Sequence, residues 1–397
     1  MANKNLTAAK KAKNDEFYTQ FSDIQKEVES YLEYDKNTFK DKVVYCNCDD
    51  PFESNFFRYF VLNFKRLGLK SLITTSYKPS PVANTQIGLF GDDLTLEPVK
   101  GRPKITANKF IINEVGDVDG DGSFTLADIA KQLKANKNNE WTPLEGDGDF
   151  RSPECVELLK QSDIVVTNPP FSLFREYVSQ LFVNKKKVLI IGNMNAITYK
   201  EIFSLIKANQ LWLGATGNGS DMVFAVPNGA DIAKEDKEKA ARLGYIGDYT
   251  RLGNSCWFTN LDHGRRHRPL SLMTIADNLK FNKKLQGKST YDKYENYDAL
   301  EVSFTSAIPS DYNGVMGVPI SFLDKYSPEQ FEIVGMCENE DLYKQKTKIY
   351  TSTECKQAYY DKFGKPGTYD LNASGVLVKN GLREKVYQRV LIKHKQK

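Results

Sequence analysis

The chain has 397 residues, of which 40% are hydrophobic and 27% are charged, with a formal net charge of +4. This is the composition of a soluble protein with a large core, and so small a charge neither requires nor excludes a nucleic-acid partner. No apolar run approaches the roughly 20 residues of a membrane span, and the polar, lysine-rich start predicts no secretion signal and a cytoplasmic location.

The amino-terminal segment stays polar up to residue 14, which predicts a flexible, solvated tail. The sequence DEFYTQ (residues 15–20) follows and leads into an amphipathic helix that reaches about Tyr31. A polar and aromatic segment just before the first strand could fold over a cofactor. Equally, its aromatic residues could be core residues at the entry of the helix.

A βαβ unit comes next, with strands predicted at Lys42–Tyr45 and Ser71–Thr75 and a helix predicted at Ser54–Leu67. In open α/β sheets, ligands bind at the carboxyl ends of the strands. The loop from Asn47 to Ser54 is therefore predicted to line a small-molecule site. Its sequence, NCDDPFES, lacks the G-x-G-x-x-G fingerprint of dinucleotide-binding proteins.

A polar insertion at residues 78–140 contains a strand prediction at Lys109–Glu114 and then a calcium-loop pattern. Oxygen-bearing side chains alternate around a glycine, as a hard cation requires, although Asp stands where the bidentate Glu is usual and no entering helix precedes the loop. The candidate ligands are Asp117, Asp119, Asp121, Ser123 and Asp128. The pattern predicts a structural calcium site, or else an Asp/Gly turn that caps the following helix at Thr125 or Asp128.

The stretch SDIVVTNPPFSLF (residues 162–174) is the most informative in the chain. A buried strand is predicted at Ile164–Val166, and it must end at the two prolines, which cannot donate backbone hydrogen bonds. A rigid loop rich in carbonyl groups follows, with the side-chain amide of Asn168 and the flat ring of Phe171. Such a loop suits a planar, amino-bearing substrate, such as an adenine turned out of its helix.

Asp149 and Phe150 follow a Gly/Asp-rich turn, one helix (Pro153–Gln161) before this strand. In a sheet of this kind they are expected beside the NPPF loop, where an aspartate and an aromatic ring could bind an adenine. The alternative is a plain Asx-Gly turn. Further strands and helices are predicted in alternation, so residues 40–215 are typical of a doubly wound α/β sheet. They are Phe174–Leu181, Lys187–Gly192, Lys200–Asn209 and Leu211–Leu213.

From residue 216 the chain becomes rich in Gly, Asn, Tyr and charge, which predicts a second region. Arg265, Arg266 and Arg268 form a dense basic cluster, and aromatic residues alternate with lysines between Lys280 and Tyr297. These features fit either a DNA-contacting surface or a solvated charged face. Residues 311–335 are predicted as a compact strand, turn and helix, and strands at Gly375–Val378 and Val386–Ile392 close the chain.

Taken together, the chain resembles the EcoRI-type DNA adenine methyltransferases. NPPF after a strand is similar to the [DNS]-P-P-[YF] motif of amino-methyltransferases that use S-adenosylmethionine, and DEFYTQ resembles the motif that holds the carboxylate of this cofactor. The resemblance runs from residue 13 to about 335 through KNDEFYTQ, DKVVYCNCDDP, GDGDFRS, NPPFSLF, NAITYKE, LWLG, YNGVMGVPI and SPEQFE. It implies a Rossmann-like, doubly wound catalytic domain at 15–215 and an α+β target-recognition region at 216–397.

The resemblance also implies roles for individual residues. Those implied for the cofactor are Asp15, Phe17, Tyr18 and Thr19 at its amino-acid end, Asn47, Asp49 and Asp50 in the first-strand loop, and Asp149 and Phe150 beside its adenine. Those implied for the target base are Asn168, Pro169, Pro170 and Phe171. Asn168 and Pro169 would accept hydrogen bonds from the N6 amine, and Phe171 would stack on the flipped base. The glycines usual in the first-strand loop of this family are missing here.

The implied activity is methyl transfer from S-adenosylmethionine to adenine N6 in double-stranded DNA, by direct attack of the amine. The implied setting is a restriction–modification system, with a monomeric enzyme and a separately acting endonuclease. Three alternatives remain open: methylation of an RNA base or a protein glutamine, a non-catalytic DNA-binding protein, and a calcium-binding interaction module. The last would explain only residues 117–133.

Overall fold

The structure, a computed structural model, describes residues 18–48, 54–76, 107–118, 120, 124–135, 138–216, 222–226 and 232–396. The chain is a mixed α/β protein that divides into two compact units. The first unit comprises Met1–Ile206 and Gln210–Gly264. The second comprises Lys207–Asn209 and Arg265–Lys397. The sequence placed the change of region at residue 216, whereas the strands between Met222 and Thr259 belong to the first unit.

Eleven strands lie in the described part of the first unit. They are β1 (Tyr18–Thr19), β2 (Val43–Cys46), β3 (Ser71–Thr75), β4 (Asn108–Ile112), β5 (Glu140–Pro143), β6 (Ile164–Thr167), β7 (Lys187–Asn193), β8 (Trp212–Leu213), β9 (Met222–Ala225), β10 (Tyr249–Leu252) and β11 (Ser255–Thr259). The helices that start there are α1 (Phe21–Tyr34), α2 (Asn55–Leu62), α3 (Phe64–Leu67), α4 (Leu126–Ala135), α5 (Pro153–Gln161), α6 (Phe174–Val183), α7 (Lys200–Lys207) and α8 (Lys234–Arg242).

Eight of these strands form one sheet in the order β5-β4-β3-β2-β6-β7-β11-β8. The four strands β3, β2, β6 and β7 are parallel, and antiparallel strands extend the sheet on both sides. From β2 the chain first goes to β3 on one side and later returns to β6 on the other. The strand order therefore reverses between β2 and β6, which is where α/β sheets form a crevice at their carboxyl ends.

Local sequence explains the elements that flank this crevice. The residues of β6, IVVT, are all buried, as expected of a central parallel strand. The Ser54 hydroxyl caps α2 by accepting hydrogen bonds from the amides of Phe56 (3.2 Å) and Phe57 (3.4 Å). Ser152 caps α5 in the same way, with Pro153 in the first turn. Aromatic side chains of α2 fill the core against the sheet, with Phe56 edge-on to Trp257 at 6.0 Å.

The first unit also contains a small sheet in the order β1-β9-β10. Tyr18 pairs with Ala225 and Thr19 with Phe224, so the segment before α1 is held as a short strand. None of the helices in the described ranges is long and apolar enough to cross a membrane.

The second unit contains a sheet in the order β12-β13-β17-β14 and a hairpin of β15 and β16. Its elements are α9 (Ile275–Phe281), β12 (Ala299–Glu301), β13 (Val315–Pro319), β14 (Phe331–Met336), α10 (Ser352–Phe363), β15 (Val376–Lys379), β16 (Leu382–Lys385) and β17 (Arg389–His394). Arg389 and Glu301 form an ion pair at 2.7 Å inside it. The predicted helix at the end of 311–335 is wrong, because Phe331–Met336 pairs with β17 and only a 3-10 turn (Ile320–Lys325) precedes it.

Candidate functional site

The loops at the carboxyl ends of β2 and β6 are joined by a direct hydrogen bond. The hydroxyl of Thr167, the last residue of β6, donates to the carbonyl oxygen of Asn47, the first residue after β2. Asn168 and Pro169 follow as buried residues, whereas Pro170 and Phe171 are partly exposed. The structure thus brings the predicted base-binding loop and the predicted cofactor loop together at the crevice where the strand order reverses.

Tyr177 on α6 connects the same loop to a second predicted cofactor residue. Its hydroxyl donates to the side-chain oxygen of Asn47, and its ring stands edge-on to the ring of Phe150, with centroids 5.1 Å apart and planes at 86°. Burial raises the pKa of Tyr177 well above its ordinary value, so the hydroxyl keeps its proton. Tyr177 was not predicted as a site residue, because a tyrosine at helical spacing with Phe174 and Val178 has the sequence pattern of an ordinary core residue.

The turn that carries Asp149 is pressed against the end of β3. Gly148 has φ +79°, and a Cβ there would overlap the carbonyl oxygen of Ser76. Only glycine fits this position. Asp149 follows in this turn as a partly exposed residue, and the Arg151 guanidinium binds its carboxylate at 2.6 Å. These hydrogen bonds from Arg151 hold the pKa of Asp149 below its ordinary value.

The predicted residues for the cofactor's amino-acid end are described only in part, since Asp15 and Phe17 lie outside the described residues. Tyr18 and Thr19 form β1, and the carbonyl of Thr19 accepts a hydrogen bond of 2.8 Å from the Asn55 side chain at the start of α2. Thr19 is 3% exposed, and its hydroxyl has no hydrogen-bond partner in the part of the chain that the structure describes. β1 therefore lies beside the amino end of the helix that follows β2.

The first-strand loop makes its turn without glycine. Cys48 has φ +69°, a left-handed conformation that costs an L-residue roughly 1–2 kcal/mol. A strained cysteine thus makes the backbone turn directly after the end of β2. Asp49 and Asp50, which come next, lie outside the described residues.

The predicted calcium site receives no support. Asp128 is fully buried, and its two carboxylate oxygens accept hydrogen bonds from the amides of Val118 and Thr125, both at 2.8 Å. These two amides occupy the oxygens with which Asp128 would bind a calcium ion. The carboxylate instead caps α4, in agreement with the alternative prediction. Among the described residues no group of His, Cys, Asp or Glu could hold a metal ion. Asp117 accepts a 2.7 Å hydrogen bond from the amide of Gly120, and Asp119, Asp121 and Ser123 lie outside the described residues.

The predicted DNA-binding arginines are mostly engaged inside the second unit. Arg265 forms an ion pair with Asp324, and the buried Arg266 donates to the side-chain oxygen of Asn209. Arg268 is the exposed member of the cluster. Two of the three side chains therefore have structural partners that the sequence pattern did not reveal.

A more exposed basic surface lies around α9 of the second unit. The ammonium group of Lys280 stands 4.9 Å from the ring centre of Phe281, and that of Lys284 stands 4.7 Å from the ring centre of Phe304. Phe281 is 61% exposed and Phe304 37%. We call Lys280, Phe281, Lys283, Lys284 and Phe304 the lysine–phenylalanine surface. Exposed aromatic faces beside lysines are a common means of binding nucleic acid.

Comparison with known proteins gives a consistent result. The model of the family "Adenine-specific methyltransferase EcoRI" matches residues 5–395. The type II methyltransferase M.EcoRI of Escherichia coli is 44% identical over 85% of this chain and 91% of its own length. M.MpnI of Mycoplasma pneumoniae is 36% identical over 83% and 85%, and M.MgeORF184P of Mycoplasma genitalium is 34% identical over 98% of both chains. No solved structure matches the chain significantly.

Proposed function

The chain belongs to the EcoRI family of adenine-specific methyltransferases, and we propose that the crevice between β2 and β6 is the active site at which it methylates adenine N6 in double-stranded DNA. The observation that carries this proposal is the hydrogen bond from Thr167 to Asn47, which joins the NPPF loop to the first-strand loop. We infer from the strand order that the large sheet is of the Rossmann-like, doubly wound type.

The residues around the crevice fit S-adenosylmethionine. The Thr19 hydroxyl has no hydrogen-bond partner among the described residues, and it lies near the start of α2. Both features suit the cofactor's carboxylate, because a helix amino end carries a partial positive charge. The ring of Phe150, which is 6% exposed, would flank the adenine ring at its edge, and the ionised Asp149 offers an acceptor for the adenine amino group. Asn47 directly follows β2 and is linked to Phe150 through Tyr177. When bound, the cofactor supplies a sulfonium methyl group, which is the electrophile.

The NPPF loop would make the target amine reactive. The N6 lone pair of adenine is delocalised into the ring, which makes the nitrogen a poor nucleophile. The Asn168 side-chain oxygen and the Pro169 carbonyl accept hydrogen bonds from the two N6 protons and draw the nitrogen toward tetrahedral geometry. Phe171 stacks on the extruded base, and Pro170 restricts the loop between them. The protein thus contributes orientation and electrostatics, without a covalent intermediate.

We place DNA recognition in the second unit. Residues 265–397 carry 22 basic and 16 acidic side chains, whereas residues 1–264 carry 33 basic and 35 acidic ones. The positive charge of the protein is therefore concentrated in the part that carries Arg268 and the lysine–phenylalanine surface, as DNA binding requires. We further propose that the enzyme acts as a cytoplasmic monomer and protects DNA against a separate restriction endonuclease.

Transfer of labelled methyl groups from S-adenosylmethionine to DNA, RNA and protein tests the proposal. We expect methylation of double-stranded DNA alone, with N6-methyladenine as the product. Asn168→Ala should lower kcat by at least about 100-fold, because it removes one of the two acceptors of the amine. Asn37→Ala, in an exposed loop after α1, is the matched control and should leave the rate unchanged. Undiminished transfer by Asn168→Ala, or transfer to RNA or protein in preference to DNA, would overturn the assignment.

A further inference from the structure

We propose that Tyr177 is a positioning residue that fixes the cofactor-binding loops relative to the base-binding loop. This inference rests on the proposed active site and adds a residue that does not touch either substrate. It explains what holds Asn47 and the left-handed Cys48 in place at the end of β2.

Asn47 is held in place by two hydrogen bonds. Both oxygens of this buried residue accept hydrogen bonds from the β6–α6 segment: the carbonyl oxygen from Thr167 and the side-chain oxygen from Tyr177. Asn47 is followed directly by the strained Cys48. A left-handed cysteine persists only where its surroundings hold it. Two hydrogen bonds on the preceding residue supply that support.

Helix α6 contacts Phe150 at two points and the neighbouring Arg151 at a third. The Tyr177 ring packs edge-on against the Phe150 ring, and the Gln180 side-chain amide donates to the Phe150 carbonyl at 2.9 Å. Glu176, the residue before Tyr177, lies 3.4 Å from the Arg151 guanidinium. Helix α6 therefore fixes both the backbone and the ring of the residue proposed to flank the cofactor's adenine.

Helix α6 follows the base-binding loop directly in the chain. The helix begins at Phe174, directly after the NPPF loop and a single 3-10 turn (Phe171–Leu173). Phe174 packs so closely on β7 that a Cβ at Gly192 would overlap its ring. The amino end of α6 is thus fixed to the sheet, and Tyr177 lies one turn further on. A single rigid element sets the distance between the base-binding loop and both cofactor loops.

Tyr177→Phe is the direct test, because it keeps the ring on Phe150 and removes only the hydroxyl. Loss of one buried hydrogen bond should raise KM for S-adenosylmethionine about tenfold, while KM for DNA stays within about twofold. Tyr31→Phe is the matched control: Tyr31 is equally buried, and its hydroxyl donates to Glu27 at 2.8 Å on α1, away from the crevice. The control should lose stability but keep the wild-type KM for the cofactor.

A double-mutant cycle with Asn47→Ala separates positioning from general loosening. If Tyr177 acts through Asn47, Tyr177→Phe adds no further increase in KM once Asn47 is alanine. Tyr177→Leu, which also removes the ring contact with Phe150, should raise KM more than Tyr177→Phe. An unchanged KM in Tyr177→Phe, or full additivity in the cycle, would overturn the inference while wild-type methylation of DNA leaves the proposed function intact. Absence of DNA methylation by the wild type would instead overturn the proposed function.

Discussion

The Arg151 guanidinium binds the Asp149 carboxylate through two parallel hydrogen bonds, with 2.8 Å between Nε and Oδ1 and 2.6 Å between Nη2 and Oδ2. The backbone amide of Arg151 adds a third hydrogen bond of 2.8 Å to Oδ1. A carboxylate gripped in this way keeps its orientation and its charge. It still has lone pairs to offer to the amino group of an adenine.

Asp149→Asn should therefore weaken cofactor binding. The neutral amide loses the charge-assisted pair with Arg151 and presents an NH₂ group toward donors, so we expect KM for S-adenosylmethionine to rise at least about tenfold. Asp147→Asn is the matched control in the same turn, because its side-chain oxygen accepts from the Asp149 amide at 3.0 Å and an asparagine retains that oxygen. Initial rates at varied cofactor concentration distinguish the two; equal KM values would contradict the role of Asp149.

The lowered pKa of Asp149 also predicts a pH profile. A carboxyl whose pKa is held below its ordinary value remains ionised throughout the neutral and mildly acidic range. We expect kcat/KM for the cofactor to show no acid limb from this group between about pH 5 and 8. If the wild-type kcat/KM falls at acid pH in that range and the fall disappears in Asp149→Asn, the pKa of Asp149 is not lowered and the prediction is wrong.

Gly148→Ala should damage the fold of the site. The new methyl group would overlap the Ser76 carbonyl at a left-handed φ, so we expect a loss of at least about 2 kcal/mol in the free energy of unfolding. Gly146→Ala is the control, since no atom lies within 4 Å of a Cβ there. Urea unfolding followed by tryptophan fluorescence measures both, because Trp141, Trp212 and Trp257 lie in the first unit. Equal stability of the two variants would be inconsistent with this packing.

The lysine–phenylalanine surface predicts a salt-dependent contact with DNA. If Lys280 and Lys284 each neutralise a phosphate, the double change to glutamine should raise KM for DNA and reduce the slope of log KM against log salt by nearly one unit per lysine. KM for the cofactor should not change. Lys365→Gln, an exposed lysine after α10, serves as the control. An unaltered slope in the double variant would remove this surface from the interface.

Glu295 predicts how the second unit responds to acid. Arg383 (2.7 Å), Lys348 (2.7 Å) and Tyr350 (2.9 Å) all donate to its carboxylate, and these contacts lower its pKa to about 2. Because the folded pKa lies below the unfolded one, this stabilisation is complete above about pH 4.5 and disappears as the pH falls toward 2.

Glu295→Gln should accordingly lower the free energy of unfolding by about 1–2 kcal/mol at pH 7, with allowance for partial exposure. The difference from wild type should shrink as the pH falls from 4.5 toward 2. Circular dichroism during urea unfolding measures the difference, because it includes the second unit, which has no tryptophan to report its unfolding by fluorescence. The control is Glu332→Gln, whose exposed ion pair with Lys393 at 3.2 Å should contribute little. A constant difference across this pH range would refute the assignment.

The strands and helices that build the crevice were predictable from sequence. Ser71–Thr75 and Pro153–Gln161 have the predicted bounds, and the central strand ends one residue later than predicted, at Thr167. These segments combine a buried apolar run with a clear stop, such as a proline pair or a capping serine, so local physics and tertiary packing agree. The roles of the NPPF and Asp149–Phe150 segments came from the motif resemblance and stay predictions.

Other features depend on partners far away in the chain. β5 was missed because EWTP is a half-exposed edge strand that ends in proline. Helix α10 was missed because only Cys355 and Ala358 are buried along its 12 residues. The structural role of Arg266 depends on Asn209, 57 positions earlier, and that of Tyr177 on Asn47, 130 positions earlier. No periodicity or local motif encodes such pairings.

The two strands that carry the proposed site, β2 and β6, are the innermost pair of the eight-stranded sheet, with three strands on each side. Under the proposed division of labour, this pair of strands carries the chemistry and the second compact unit carries DNA recognition. An enzyme built in this way can acquire a new DNA target without any change in its catalytic residues. The DNA specificity can then change while the methyl-transfer step is preserved, both in evolution and in protein engineering.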